Sequence, residues 1–373
     1  MSIVYLLKTR TVKPLRQILE TIEKETISQP ILLKPNIVCP AKAKRGIVTE
    51  PLLVKEVIRY FKERGAHHFI IAESPGLGVK AKETFAISGY TTLAKEEGAD
   101  LLDLNTAPTK TLNWEFGEIE IPQIVLESYY INLAKLKTHI NTMVSLSLKN
   151  QKGLLKSSEK KHFHQLGLHA PIASLAQLVK PQLTIIDGLV GLQGDGPLFS
   201  GKKINSQLIV VSKDMVAADA VACRVMGIEP IKVKHLWLSY QKGVGDINPQ
   251  IEGNEIERIK QNFLKPKEDC FQFGRFKNWR NPYSCTMCGI SLRAALEMII
   301  KSPLLWSSCL PKLIDGIWGK GIDFISGLEA KIPPTKGQIY CLGDCTKEIA
   351  QRHHLIYVEG CPPAPSKIVE ALR

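Results

Sequence analysis

Seven of the nine cysteines in this 373-residue chain lie after residue 266. Cys285 and Cys288 are separated by two residues, a spacing that directs both sulfurs toward one metal ion or one corner of an iron–sulfur cluster. Two further cysteines follow strand-like runs, and Pro362 comes directly after the second, as proline does after the fourth cysteine of bacterial ferredoxin motifs. We therefore predict one metal centre with the ligands Cys285, Cys288, Cys345 and Cys361.

We expect this centre to be a single 4Fe–4S cluster, with a structural zinc ion as the alternative. Zinc would use the same sulfurs, but zinc sites more often show two short cysteine pairs. Cys341 is then left over, either as a substitute for Cys345 or as a buried thiol. The remaining cysteines are expected to be ordinary thiols: Cys39, Cys223, Cys270 and Cys309.

Polar side chains follow several apolar runs in the first two thirds of the chain. In α/β sheets, ligands bind at such strand ends. Lysine ammonium groups suit carboxylate or phosphate groups, and a desolvated lysine can act as a base at neutral pH. The sequence therefore predicts a cationic pocket for an anionic ligand, without an assigned catalytic residue, formed by Lys34, Asn36, Glu73, Lys135, Lys137, His139, Lys149, Asn150 and Asp187.

The elements that position these residues alternate between short β-rich runs and helical patterns. This succession implies right-handed crossovers and a mainly parallel sheet, with core strands at 129–133 and 144–148. A connector rich in Gly, Asn, Pro and charge occupies 242–283. We therefore predict an α/β domain over residues 1–262, with a mainly parallel or mixed sheet flanked by helices, and a small α+β cysteine-rich domain over 263–373.

The motifs of the first part resemble domain-of-unknown-function family 362. The resemblance rests on Lys34-Pro35-Asn36, Thr49-Glu50-Pro51, Glu73-Ser74, Leu136-Lys137-Thr138-His139, Ser147-Leu148-Lys149-Asn150 with Gly153, Asp187-Gly188, residues 194–197 and Ala217-Ala218-Asp219-Ala220. It covers roughly residues 1–240. Many members of that family look like cluster proteins with a ferredoxin-type segment. This chain lacks the dense run of ferredoxin cysteines, so the resemblance implies a single cluster here.

Charge limits the partners of the protein. The chain carries 49 Lys+Arg and 36 Asp+Glu, which gives a formal net charge of +13. This excess favours an anionic small molecule or an acidic electron carrier as the partner. Because no helix-turn-helix signature or basic motif interleaved with aromatic residues is found, a nucleic-acid role is disfavoured.

The chain lacks a signal-peptide pattern and a window of about 18 apolar residues, so we expect a cytoplasmic protein without a membrane span. An odd number of cysteines in such a chain argues against a disulfide framework. The apolar stretch 292–328 is interrupted by charges, and we expect it to form helices packed over the metal centre in preference to attaching to a membrane surface.

These observations together predict a cytoplasmic iron–sulfur redox or electron-transfer protein with a lysine-rich pocket for an anionic ligand. The alternative is a non-redox enzyme that acts on a carboxylate or phosphate substrate and carries a structural zinc ion or cluster.

Overall fold

The computed structural model describes residues 1–267, 270–273, 275–279, 281 and 283–373, with the backbone alone for 270–273. These residues form two compact units. The large unit contains residues 1–163 and 168–266, and the small unit contains 164–167 and 267–373.

The strands of the large unit are short apart from two long central ones. They are β1 (Ile3–Lys8), β2 (Ile31–Pro35), β3 (Phe69–Glu73), β4 (Asp100–Asp103), β5 (Thr109–Trp114), β6 (Gly117–Pro122), β7 (Tyr129–His139), β8 (Met143–Val144), β9 (Leu183–Gly194), β10 (Gly201–Ile204), β11 (Leu208–Ser212) and β12 (Gln250–Gly253).

Within the described residues, ten of these strands form one mixed sheet with the main order β12-β1-β11-β9-β7-β2-β3-β4. The central strands β9, β7, β2, β3 and β4 are parallel, whereas β11 is antiparallel to both of its neighbours. β10 pairs with the end of β9, and β5 and β6 form a separate hairpin. Every residue of β7 is buried, as expected for a parallel strand covered on both faces.

The helices that join these strands are α1 (Leu15–Ile22), α2 (Pro51–Glu63), α3 (Ala81–Ser88), α4 (Tyr90–Glu97), α5 (Gln123–Glu127), α6 (Ser147–Asn150), α7 (Ser157–Gln165), α8 (His169–Leu178), α9 (Met215–Val225), α10 (Lys234–Gln241) and α11 (Ile256–Ile259). α2 begins with proline at its first position and the Glu50 carboxylate as its cap. α9 is buried almost throughout, and its alanines allow close packing on β9 and β11.

The small unit has its own sheet in the order β13 (Cys270–Phe273), β14 (Phe276–Trp279), β15 (Ile322–Ser326), β16 (Gln338–Leu342) and β17 (Ile356–Val358). β14 to β17 are parallel, and β13 is antiparallel to β14. The helices of this unit are α12 (Thr286–Lys301), α13 (Pro303–Ile317), α14 (Lys347–Arg352) and α15 (Pro365–Ala371).

The predicted α/β class is confirmed, because a large mixed sheet is flanked by helices and a smaller unit of strands and helices follows. The core strand predicted at 144–148 is wrong, since β8 ends at residue 144 and α6 begins at 147. The predicted loose connector contributes an edge strand, β12, to the main sheet. No helix within the described residues is long and apolar enough to cross a membrane.

Candidate functional site

Most of the predicted pocket residues of the large unit lie at one edge of its sheet. β2, β3, β7 and β9 are parallel, so their carboxyl ends lie side by side. Lys34 and Glu73 stand at the ends of β2 and β3. Lys135 of β7 is paired in register with Asp187 of β9. The structure thus pairs Lys34 with Glu73 and Lys135 with Asp187 at this edge.

Lys34 is at the centre of a buried polar network. Its ammonium group donates to Glu73 Oε2 at 2.9 Å, to Asn150 Oδ1 at 2.9 Å and to the Pro35 carbonyl at 3.0 Å. Glu73 Oε2 also accepts from the backbone N–H of Ile37 at 2.8 Å. All three ammonium protons thus have acceptors within the protein, as a fully buried charge requires.

Gly153 allows the backbone to approach this ion pair closely. A Cβ atom at residue 153 would overlap Glu73 Oε1 and lie 2.6 Å from Lys34 Nζ. Glu73 Oε1 itself is buried and has no hydrogen-bond partner among the described residues. The glycine that was part of the sequence resemblance is therefore needed for steric reasons at this site.

Lys137 lies at the same edge of the sheet, and its hydrogen bonds go to an amide and a carbonyl group instead of a carboxylate. It donates to Asn36 Oδ1 at 2.5 Å and to the Ile47 carbonyl at 2.9 Å. Burial lowers the pKa of Lys137 to about 7, and the thiol of Cys39 opposes this shift. This lowered pKa favours the neutral form of Lys137, which is the state that a general base needs.

Lys135 belongs to a second buried ion pair, with Asp187 at 2.7 Å. The same Asp187 oxygen accepts from the backbone N–H of Glu50 at 2.7 Å, and its other oxygen accepts from that of Leu189 at 3.0 Å. This pair ties β7 and β9 to the start of α2.

The structure separates Lys149 from its neighbour Asn150. Asn150 donates to Asn132 Oδ1 at 2.8 Å and joins the Lys34 network. The charge of Lys149 instead acts on His169 and His235. His139 is buried and accepts through Nδ1 from the Asn141 N–H at 3.0 Å. The predicted pocket is thus divided between two places.

Asp219 is a buried acid that we did not assign to the site. Its carboxylate accepts from the N–H and hydroxyl of Ser147 and from the Leu148 N–H, so it caps α6. Burial raises the pKa of Asp219 to about 7, and the hydrogen bonds from Ser147 and Leu148 oppose this shift. Its position in the Ala217-Ala218-Asp219-Ala220 motif was the available sequence signal.

Lys160 is another buried lysine, and the sequence analysis did not assign it to the site. Its ammonium group donates to the carbonyl and hydroxyl of Ser74 and to the Pro75 carbonyl. Burial lowers the pKa of Lys160 to about 7. It lies in a run of five lysines between residues 149 and 161, and its spacing in the sequence does not distinguish it from its neighbours.

Because of this lowered pKa, we expect the stability of the protein to depend on pH through Lys160. The Lys160 side chain holds its proton up to about pH 10.5 in the unfolded chain, but only up to about pH 7 in the folded protein. The free-energy cost of burying the charge is therefore fully present below about pH 7 and decreases as pH rises toward 10.5. Relative to Lys160→Met, the wild type should gain up to about 1.4 kcal/mol per pH unit between these values. Urea unfolding at about pH 7, 8.5 and 10 measures this difference. The exposed Lys161→Met is the control, and equal slopes for the wild type and Lys160→Met would contradict the assignment.

The four predicted cysteine ligands lie in loops of the small unit that hydrogen bonds hold together. Cys285 caps α12 and Cys288 lies in its first turn, with a Cys288 N–H to Cys285 carbonyl bond of 3.2 Å. Cys345 follows β16 and Cys361 follows β17. The two latter loops are joined because the Gly360 N–H donates to Asp344 Oδ1 at 2.7 Å and the Asp344 N–H donates to the Gly360 carbonyl at 3.2 Å.

Gly343 shows how close these sulfurs lie. It has a φ of +92°, and a Cβ atom there would lie 3.4 Å from Cys288 Sγ and 3.7 Å from Cys345 Sγ. Burial raises the pKa of Cys288 well above its usual value, and charge on Cys285, Cys345 or Cys361 raises it further. The four thiols therefore act on one another electrostatically across a small space.

The predicted donor set consists of four thiols, a ligand set that iron–sulfur clusters use. Among the described residues, no group of three or more His, Cys, Asp or Glu side chains has the geometry to hold a single metal ion. A cluster spans a wider space, and four thiolates are its usual ligands. Backbone N–H groups also face the sulfurs: that of Met287 lies 3.4 Å from Cys285 Sγ, and that of Gly327 lowers the pKa of Cys345.

The other cysteines of the small unit point elsewhere. Cys341 packs with Ile325, Ile339 and Ala350, and burial alone raises its pKa to about 11. Cys309 is buried against the Val369 carbonyl. The Cys270 side chain lies outside the described residues. The structure thus brings Cys345, and not Cys341, toward Cys288.

Residues 31–224 match the family described as Domain of unknown function (DUF362). A curated relative, named as a thylakoid-associated protein of Synechocystis sp. (strain ATCC 27184 / PCC 6803 / Kazusa), is 25% identical over 210 residues. This match covers 54% of the present chain and 64% of the relative, so the chain spans just under two thirds of the relative's length. No solved structure matches the chain. Because the family match covers more than half of its residues, this protein belongs to the DUF362 family.

Proposed function

We propose that this protein is an iron–sulfur redox protein whose small unit holds one 4Fe–4S cluster through Cys285, Cys288, Cys345 and Cys361. The observation that carries the proposal is the convergence of these loops around Gly343, where one added carbon would touch two of the sulfurs. The chain supplies four thiols in these loops, the number that a 4Fe–4S cluster uses. A cluster bound there would supply one-electron transfer.

The residues around the sulfurs would set the reduction potential of such a cluster. Hydrogen bonds from backbone N–H groups to thiolate sulfur stabilise the reduced, more negative state and raise the potential. The N–H groups of Met287 and Gly327 are placed for this role. Asp344 adds a negative charge beside Cys288, which opposes it.

We propose that the large unit binds the anionic partner of the redox reaction at the edge that contains Lys137. Lys34 and Lys135 are already paired with Glu73 and Asp187. Lys137 donates to an amide and a carbonyl, so a carboxylate or phosphate nearby would stabilise its charged form. The net charge of +13 also suits an acidic electron carrier as the partner.

Metal analysis of protein purified without oxygen tests the cluster. We expect about four iron atoms and four sulfides per chain, and an EPR signal after reduction. One zinc ion per chain without sulfide would overturn the redox proposal and favour the alternative, a non-redox enzyme with a structural metal site.

We also propose that the outer face of α12 and α13 rests on an anionic membrane surface. This segment exposes large apolar side chains, with Leu304 of α13 76% exposed and Trp318, directly after α13, 74% exposed. Three lysines accompany them: Lys301, Lys312 and Lys320. Exposed tryptophan and leucine beside lysine are typical of helices that lie in the membrane interface. The name of the Synechocystis relative, a thylakoid-associated protein, agrees with such a role.

Sedimentation with phosphatidylglycerol vesicles tests this contact. The double variant Leu304→Ala/Trp318→Ala should bind roughly ten-fold more weakly than the wild type, since it loses two apolar side chains that the interface would bury. Leu52 and Ile231 are exposed apolar residues of the large unit, and replacing both by alanine should not change binding. If the wild type and Leu304→Ala/Trp318→Ala bind the vesicles equally well, these residues do not contact the membrane.

A further inference from the structure

Two histidines of the large unit stack where α8 and α10 begin. The ring centroids of His169 and His235 are 5.7 Å apart, with 25° between the ring planes. His235 is completely buried, and within the described part of the chain neither of its ring nitrogens has a hydrogen-bond partner. Nδ1 of His169 is in the same situation. A neutral imidazole carries one donor and one acceptor, so leaving both unused in the interior costs free energy.

The surroundings of the two rings are positive. Burial lowers the pKa of His169 to about 4, and the charges of Lys234 and Lys149 lower it further, while the Asn141 backbone opposes this. Burial also lowers the pKa of His235, with His169 and Lys149 as the next causes. The charges of two lysines thus act at a place with unused imidazole nitrogens.

The helix ends add to this positive potential. His169 is the first residue of α8, and His235 is the second residue of α10. Neither helix has a side-chain cap or an acidic residue in its first turn among the described residues. The N–H groups at a helix start carry a partial positive charge and bind anions, above all phosphate.

We propose that His169, His235 and Lys149 form a binding site for a phosphate group, which we call the α8–α10 site. Phosphate offers several acceptor oxygens, and these residues and the two helix starts carry imidazole, ammonium and backbone donors. His169 and Lys149 are both partly exposed, so this part of the large unit is in contact with solvent. The proposal goes beyond the redox function, because it concerns neither the cysteines nor the Lys34 network.

Calorimetric titration of the full chain at constant ionic strength tests the site, with inorganic phosphate and glycerol phosphate as separate probes. We expect saturable binding of at least one probe, weakened about ten-fold or more in Lys149→Met because a charge-assisted hydrogen bond is lost. Lys232→Met is the matched control, since Lys232 is an exposed lysine just before α10. Stronger binding of glycerol phosphate would identify an organic phosphate as the ligand, and stronger binding of inorganic phosphate would identify the free ion.

A second measurement does not depend on any variant. In the wild type, phosphate should shift the side-chain ¹⁵N resonances of His169 and His235. The absence of saturable binding for both probes overturns the proposal. Equal weakening in Lys149→Met and Lys232→Met also overturns it, as do unmoved histidine resonances at saturating phosphate.

Discussion

Cys288→Ala is expected to lower the iron content of anaerobically purified protein from about four atoms per chain to less than about one. Cys288 is buried, and a Cβ atom added at Gly343 would contact both the Cys288 sulfur and the Cys345 sulfur. The substitution removes one of the four thiolate ligands. Because this position is buried, water cannot take the place of the missing ligand. Iron and sulfide determination, with EPR of the reduced protein, measures the loss.

Cys341→Ala is the matched control, because Cys341 is a buried thiol of β16 that packs away from the four ligands. It should keep the full iron content. Gly343→Ala is a further variant that leaves all four ligands present: its added Cβ would lie against two sulfurs, at a φ of +92°. We expect it to lose cluster as well. Iron retention in Cys288→Ala, or equal loss in Cys341→Ala, would refute the ligand assignment.

The cysteine set could be proposed from sequence because its signals are local. The two-residue gap between Cys285 and Cys288 is fixed by one turn, and each of the other two cysteines lies in the loop that follows a strand. Parallel strands bring such positions to one edge. The choice between Cys341 and Cys345 was not evident from the sequence, because it depends on where β16 ends: Cys341 lies within this strand, whereas Cys345 lies in the turn after it.

The sequence analysis predicted that the lysines lie at strand ends, but it did not predict their burial or their ion pairs. The strand-end rule placed Lys34, Lys135 and Lys137 together, yet it treats such side chains as the lining of an open pocket. In the structure all three are buried, and Glu73 and Asp187 neutralise two of them. Burial of this kind depends on the loops above the edge, whose conformation a single sequence does not determine.

Lys149 was expected to join the same pocket as Asn150, because both residues follow an apolar run of the sequence. In the structure both belong to the short helix α6, where successive side chains are turned by about 100°. Asn150 enters the Lys34 network, while the charge of Lys149 acts on His169 and His235. Asp219 stabilises this helix from more than 70 residues away, a contact that no local pattern reveals.

Lys34→Met should destabilise the large unit by about 3–5 kcal/mol. The change leaves the Glu73 carboxylate buried with the Ile37 N–H as its remaining hydrogen-bond donor and removes the donor to Asn150. The cost comes mainly from the uncompensated buried charge, because a surface ion pair contributes much less. Hydrogen exchange of peptides from residues 1–266 during urea unfolding measures the effect in this unit alone.

The double variant Lys34→Met/Glu73→Gln separates the cost of charge from the cost of shape. Glutamine keeps an oxygen for the Ile37 N–H and carries no charge, so most of the loss should be recovered even though the ion pair is gone. If the double variant is as unstable as Lys34→Met, the network stabilises the fold through its hydrogen bonds to Asn150 and Pro35. If it is nearly as stable as the wild type, stability does not require the buried pair. A role in ligand binding or catalysis at this edge would then be the physical reason for keeping two charges out of water.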